Sequence, residues 1–419
     1  MEGTQQIQPL QRLKLEVGDV LRAHGMDYRA QQMLTPQQSR VLTALMQCRT
    51  AALGGHLEVC DHCGLTRPAY NSCRDRHCPK CQSLRQAKWI AERKERLLPL
   101  PYFHVVFTLP AQLRRLCRRN DRALYGLLFK AATTTLQRLA EDPKWLGARI
   151  AITAVLHTWT RELDYHPHLH CIVSAGGLSL DGTHIVHGSP RYLFPVAVLG
   201  DLFRGIFLDG LKRMVKRGKV RLDGHELGPL FEELYQADWV VYAKRPFGGP
   251  EAVFSYLGRY THRVGLSNQR MRSMDEQGVC FRTKGGKSLT LAPQEFIRRL
   301  LLHVLPSGFV KIRHYGLWSG GRMPEQLEKA RQLLEAQSPN PPTVEESSDS
   351  LPPDSQIVAE SEESESAEEE EEDWITRLLR LCGVDLSRCP ACKEGRMIRQ
   401  PLPSSPPLYE TPKLGADSS

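Results

Sequence analysis

No run of eighteen apolar residues occurs in this 419-residue chain, so nothing in it reads as a membrane span. The opening residues, MEGTQQIQPLQRLKLEV, lack the basic-then-apolar order of a secretory signal. A cytoplasmic location is therefore expected, and twelve cysteines in that compartment are not expected to be a disulfide framework. No internal repeat is visible, and no amphipathic basic helix stands out that would bind an acidic membrane. From Ser338 to Asp373 there is no Lys or Arg at all, against 14 Asp and Glu. That composition cannot bury enough surface to fold, so it reads as a disordered acidic linker.

What remains is ordinary in apolar content, 41% over the whole chain, and strongly basic. The net charge of +9 conceals a split: outside the acidic stretch, 56 basic residues face 33 acidic ones. A body with that surplus is expected to attract nucleic acid. No small-molecule substrate is suggested.

Residues 1–50 read as helical, with Thr35 as N-cap and Pro36 at the first helical position of a segment running through LTPQQSRVLTALMQCRT. YFHVVFTLP, RIAITAVLHTW and HLHCIVSAGGL read as strands, the last two close enough in sequence to pair antiparallel. DRALYGLLFKAATTTLQRLA and DLFRGIFLDGLKRMVKRG read as helices, DWVVYAKRPFGG as a strand and VCFRTKGGKSLTL as a hairpin. GPEAVFSYLGRYTHRVG and APQEFIRRLLLHVLP follow as helices. This is an α+β pattern. The expected divisions are a helical region at 1–50, a zinc-binding DNA-recognition module at 51–96, a main domain at 100–330, the linker at 338–373, a small module around CPAC at 374–400 and a disordered tail at 401–419.

Three constellations carry chemistry. In CDHCGLTRPAYNSCRDRHCPKCQ, Cys60 with Cys63 and Cys78 with Cys81 are two C-x-x-C pairs. Two thiolate pairs of this kind make a tetrahedral structural Zn²⁺ site. Cys73, His77 and His56 are then surplus. Arg74, Arg76, Lys80, Arg85 and Lys88 surround the site and suit phosphate contact, or else a solvated charged face. In YHPHLHCIVSAGG, His168 and His170 fall on one face of a strand, where two imidazoles aimed at one point suit a metal; the alternative is a pair of hydrogen-bonded core histidines. In EAVFSYLGRYTHRVG, Tyr256 and Tyr260 share a helix face beside Arg259 and Arg263. Such a pair is commonly packing, but a tyrosine beside a metal can also be a nucleophile toward a phosphodiester. Two further features are weaker. Cys389 and Cys392 form a lone pair in CPAC, and FVKIRHYGLW, with Lys311, Arg313, His314, Tyr315 and Trp318, could stack on unpaired bases or simply pack.

HPHLHCIVSAGGL followed by YLGRYTHR resembles the HUH endonucleases. With the upstream YNSCRDRHCPKCQ, the chain is similar to the rolling-circle transposases of the IS91 type and their relatives that carry resistance genes. CRTAALGGH, YFHVVFTLP, VKIRHYG and the C-terminal CPAC add to the likeness, which covers roughly residues 1–330 and the end module. The resemblance implies an HUH core, a small antiparallel sheet with flanking helices and the histidines on a central strand, preceded by a helical and zinc-ribbon-like module. It implies His168 and His170 as ligands of Mg²⁺ or Mn²⁺, and Tyr256 and Tyr260 as two catalytic tyrosines acting on single-stranded DNA at an element's ends through a 5′-phosphotyrosine. A third metal ligand is expected, since two imidazoles seldom suffice; His157 on the preceding strand is the choice, with His166 and Glu162 as the other neighbours. The rivals are a non-catalytic zinc-ribbon DNA-binding protein, which has no need of aligned His-x-His and Tyr-x-x-x-Tyr, and an HUH replication initiator, which differs only in its target DNA. A tyrosine recombinase would need a split arginine set rather than a histidine pair.

Overall fold

A computed structural model describes residues 15–82, 96–222, 224, 226–244, 265–321, 323–337, 385 and 387–402. The chain forms two compact units. The larger takes residues up to Arg49 and then Ser72–Gln337; the smaller takes Thr50–Asn71 and the chain from Ser338 onward.

The larger unit opens with α1 (Val17–Gln31) and α2 (Pro36–Gln47). The start of α2 is set by its sequence: Thr35 Oγ1 accepts from the Gln38 N–H at 3.2 Å, and the Gln38 side chain accepts from the Thr35 N–H at 3.1 Å. The smaller unit then contributes β1 (Gly55–Cys60) and β2 (Thr66–Tyr70). Back in the larger unit follow β3 (Tyr102–Thr108), α3 (Leu113–Arg119), α4 (Asp121–Glu141), β4 (Ala148–Trp159), β5 (Tyr165–Ser179) and β6 (Ile185–His187). Next come α5 (Val196–Lys216), α6 (Leu227–Gln236), β7 (Val241–Lys244), β8 (Met271–Asp275), β9 (Gly278–Arg282) and β10 (Ser288–Leu291). The last elements are α7 (Pro293–Leu301), β11 (Ile312–Gly316) and α8 (Met323–Gln337), and β12 (Met397–Pro401) returns to the smaller unit.

The main sheet is antiparallel, in the order β11-β4-β5-β3-β7, with β6 added on β5. Its central strand is the one that carries His-Leu-His. Paired residues of antiparallel strands project to the same side, so the register sorts the side chains into two faces. On one face Phe103, Val105, Phe107, Leu156, Leu169 and Cys171 pack against Leu124 and Leu128 of α4 and Phe203 and Phe207 of α5. Burying such a side chain contributes about 1.5–3 kcal/mol each. On the other face, Tyr102, Ala151 and Ile172 pack with Trp318 and with Leu327 and Leu334 of α8. The histidines occupy the rest of that second face. A separate core joins α1 and α2 to the sheet β10-β9-β8 and α7, with Cys48 and Cys78 at its edge.

The strand readings for 102–108, 148–159 and 165–179, the antiparallel pairing of the last two, the hairpin β9–β10 and helices α4, α5 and α7 match the sequence expectations. The stretch 51–96 is divided between the two units. Its first part pairs with β12 in a sheet of order β12-β1-β2, and residues from Ser72 belong to the larger unit. The CPAC segment lies in that smaller unit. The reason is pairing: β1 has one neighbour in β2 and needs a second on its other edge, which β12 supplies from His56↔Pro401 to Cys60↔Met397. The acidic stretch 338–373 lies outside the described residues. Among the described residues no helix is long and apolar enough to cross a membrane.

Candidate functional site

His157 on β4 stands directly opposite His168 on β5, and His170 is the next residue on the same face. The ligand nitrogens of the three lie within 4.8 Å of one another. His168 Nε2 is 3.1 Å from His170 Nε2, and the His157 ring lies 4.5 Å from that of His170 and 5.5 Å from that of His168. The third-ligand expectation thus falls on a residue that the register brings to the pair. His166 and Glu162 are not in this ligand cluster: the His166 ring lies 5.4 Å from that of His168, but its Nδ1 is 3.2 Å from Arg114 Nη2, and Glu162 offers its carbonyl to Arg299.

The surroundings fix the imidazoles. His168 Nδ1–H donates to the His166 carbonyl at 2.7 Å, which leaves Nε2 as the nitrogen with a lone pair. Trp159 stacks on His157 with ring centroids 4.6 Å apart. His104, paired with Ile172 and therefore on the same face, places Nε2 2.8 Å from His170 Nδ1 and stacks on its ring at 5.0 Å. When His170 Nδ1–H donates to His104, the Nε2 lone pairs of His168 and His170 point at one another. That arrangement is repulsive by itself and is relieved by a cation between them, so the donor set fits a divalent metal. Burial holds His168 and His104 down at about 4, so both are neutral at pH 7, the form a ligand requires. His104 was not among the expected site residues. Its signal was present, since a histidine interrupts the apolar alternation of YFHVVFTLP, but only the β3–β5 register shows what it faces.

The cysteines gather differently from the expectation. Cys60 and Cys63 do not meet Cys78 and Cys81. Cys78 and Cys81 join Cys48 and Cys73, while Cys60 and Cys63 join Cys389 and Cys392. In the first group Sγ–Sγ distances are 3.5 Å for Cys48–Cys81 and Cys48–Cys78 and 3.6 Å for Cys73–Cys81. The reason is local. Cys48 is the C-cap of α2, within reach of the turn that presents Cys78 and Cys81, whereas Cys60 ends β1 in the smaller unit. Hydrogen bonds among the four clustered thiols pull Cys48 and Cys81 down and push Cys73 and Cys78 up, so protons are shared unevenly within the group. Counting pairs could have exposed the error: three C-x-x-C pairs need more than one tetrahedral site. His77 is not a ligand here; it bonds Asp75 at 2.8 Å and accepts the Leu305 N–H at 3.2 Å.

The basic residues beside the cysteines divide as well. The Arg76 guanidinium is turned inward, donating to the Pro306 carbonyl at 2.9 Å and to that of Phe309, so it is not presented for phosphate contact. Lys80 pairs with Glu16 at 2.5 Å, and Arg74 is exposed with a left-handed φ of 53°. The base-stacking reading of HYGLW gives way to packing: Trp318 is buried and stacks on Tyr102 at 5.6 Å, and Arg313 lies over Phe129 at 4.2 Å. Tyr256, Tyr260, Arg259 and Arg263 lie outside the described residues, as do Arg85 and Lys88.

A family model described as "Transposase zinc-binding domain" matches residues 20–109, and one described as "Putative transposase" matches residues 151–326. The chain is 45% identical over 399 residues to "Putative transposase y4qJ" of Sinorhizobium fredii, covering 91% of this chain and 94% of that protein. It is 28% identical over 327 residues to the transposase for insertion sequence element IS801 of Pseudomonas savastanoi pv. phaseolicola, covering 72% of this chain and 75% of that one. No solved structure matches the chain. The zinc-binding match and the cysteine clusters together support structural Zn²⁺. On the strength of its similarity to y4qJ across nearly the whole of both chains, the protein belongs to the IS91-like transposases.

Proposed function

We propose that this transposase cuts and rejoins single-stranded DNA at the ends of its element through a 5′-phosphotyrosine, as an HUH endonuclease. The observation that carries the reading is the convergence of His157, His168 and His170 on adjoining strands of the main sheet. These three residues would hold Mg²⁺ or Mn²⁺, which when bound supplies charge stabilisation at a phosphate oxygen. The chain's own part is the rest. The hydroxyl oxygen of Tyr256 or Tyr260 attacks the phosphorus, the new O–P bond forms as the bond to the 3′-oxygen breaks, and the phenolic proton is lost to solvent as the 3′-oxygen leaves and is protonated. The second tyrosine would accept a further strand while the first remains linked. Arg259 and Arg263 would pair with phosphates, as would Arg74 in the N-terminal region.

The test is an adduct assay. Single strands from the DNA flanking the gene, labelled at the 3′ end, are incubated with protein and Mn²⁺. The expected result is label at protein mass, lost with EDTA and lost when both tyrosines are changed to Phe. Tight DNA binding without any adduct would instead favour the non-catalytic zinc-ribbon reading.

A second expectation concerns His104. By accepting a hydrogen bond from His170 Nδ1–H it would orient the ligand nitrogen, so His104→Ala is expected to weaken Mn²⁺ binding about 10- to 100-fold. His104→Gln, which still offers an acceptor, should recover part of it. Calorimetric titration with Mn²⁺ reads both, and equal affinity in wild type and His104→Ala would remove the positioning role.

A further inference from the structure

Cys60, Cys63, Cys389 and Cys392 stand 326 positions apart across the Cys63–Cys389 contact, yet their sulfurs form one cluster. Cys60 Sγ is 3.7 Å from Cys392 Sγ, and Cys63 Sγ is 3.6 Å from Cys389 Sγ. Cys389 and Cys392 lie beyond residues 20–109 and 151–326, the two stretches matched by transposase models.

Each half is folded as a metal knuckle. Cys60 Sγ accepts backbone N–H bonds from His62 and Cys63, both at 3.4 Å, and Cys392 Sγ accepts one from Gly395 at 3.4 Å. Such bonds stabilise thiolate rather than thiol. Each C-x-x-C is followed by a residue in the left-handed region, Gly64 at φ 70° and Lys393 at φ 61°. A lysine held there without glycine's freedom indicates that the turn is imposed by its surroundings. The two knuckles are also tied to each other: the Arg396 N–H donates to Asp61 Oδ1 at 2.7 Å, and the Asp61 N–H donates to the Arg396 carbonyl at 3.1 Å. Gly395 is seated so closely that a Cβ there would meet Cys60 Sγ at 2.5 Å and His62 Cβ at 2.6 Å. Four cysteines on two such turns are the donor set of a structural zinc site.

We propose that these four cysteines form a second zinc site, separate from that of Cys48, Cys73, Cys78 and Cys81 and built half from each end of the chain. The metal locks β12 onto β1, so the segment after the acidic stretch is held by zinc to the region that precedes the main domain. Binding releases the thiol protons to solvent and involves no change of oxidation state. The proposal stands apart from the tyrosine chemistry and survives its failure.

The full chain is used for the test. Metal analysis of purified protein is expected to give two zinc ions per chain, one for each cluster, and one in the Cys389→Ser, Cys392→Ser double variant. A site-specific protease sequence is then inserted near Ser350 and cut, and the products are passed through gel filtration. The C-terminal fragment should stay with the remainder in zinc buffer and leave when a chelator is added. It should leave without chelator in the double Ser variant. Gly395→Ala retains every thiol but closes the space beside Cys60, and should lower retention at least tenfold. Unchanged zinc content in the double Ser variant, a fragment that stays bound after chelation, or one that leaves in zinc buffer would each overturn the clasp.

Discussion

His170→Ala is expected to leave a folded protein that forms covalent DNA adduct at least about a thousandfold more slowly. A metal acting on a phosphate oxygen contributes several kcal/mol to the barrier, and about 4 kcal/mol is a thousandfold in rate. His170 is the imidazole with most at stake, because it joins the other groups: its Nε2 faces His168, its Nδ1 faces His104, and its ring lies against His157. The residue projects from the sheet face opposite the Phe107–Phe203 packing, so the hydrophobic core is left intact. His166→Ala makes the matching control, since His166 packs its ring 5.4 Å from that of His168 but is not one of the three clustered ligands. Adduct formation by His170→Ala within tenfold of wild type, with Mn²⁺ present, would end the metal-site reading. A loss shared by His166→Ala would point instead to general damage of β5.

The second large effect concerns stability. Gly177 closes the Ala-Gly-Gly that follows the histidine strand, and it pairs with Ile150 just where the β4–β5 register shifts. A Cβ there would stand 1.9 Å from the Arg149 carbonyl oxygen and 2.8 Å from its carbon. Those atoms are backbone, so no rotamer change relieves the contact; the strands must part. Gly177→Ala is expected to cost about 3 kcal/mol or more, a large share of the roughly 5–15 kcal/mol typical of a folded domain. Gly126→Ala is the contrast. It lies within α4 with nothing within 4 Å of the added carbon, and there alanine should be neutral or stabilising by up to about 1 kcal/mol. Urea unfolding of the two variants beside wild type measures the difference. A loss under about 1 kcal/mol for Gly177→Ala would show that the strands can yield at this point.

Features that depend on near neighbours were readable before any coordinates. Period-two alternation put His168 and His170 on one face, and Thr35 with Pro36 and Gln38 marked the start of α2. The short link between β4 and β5 made them antiparallel partners, which brought His157 to His168. Features that depend on distant partners were not readable. Which cysteines share a cluster is decided by the pairing of β1 with β12 and by the end of α2, neither of which leaves a mark in the spacing of Cys60 to Cys81. His104 needed the β3–β5 register. Arg76 and Trp318 looked like nucleic-acid contacts because residue type alone does not say whether a carbonyl or a tyrosine ring already occupies the side chain.

The pairing of β1 with β12 also orders events during synthesis. At about 5–20 residues per second, the ribosome needs roughly 17–67 s to travel from one strand to the other. Throughout that interval one edge of β1 and the thiols of Cys60 and Cys63 have no native partner, and they gain one only as Cys389–Pro401 emerge. A product cut short by an early stop keeps that edge and those thiols open.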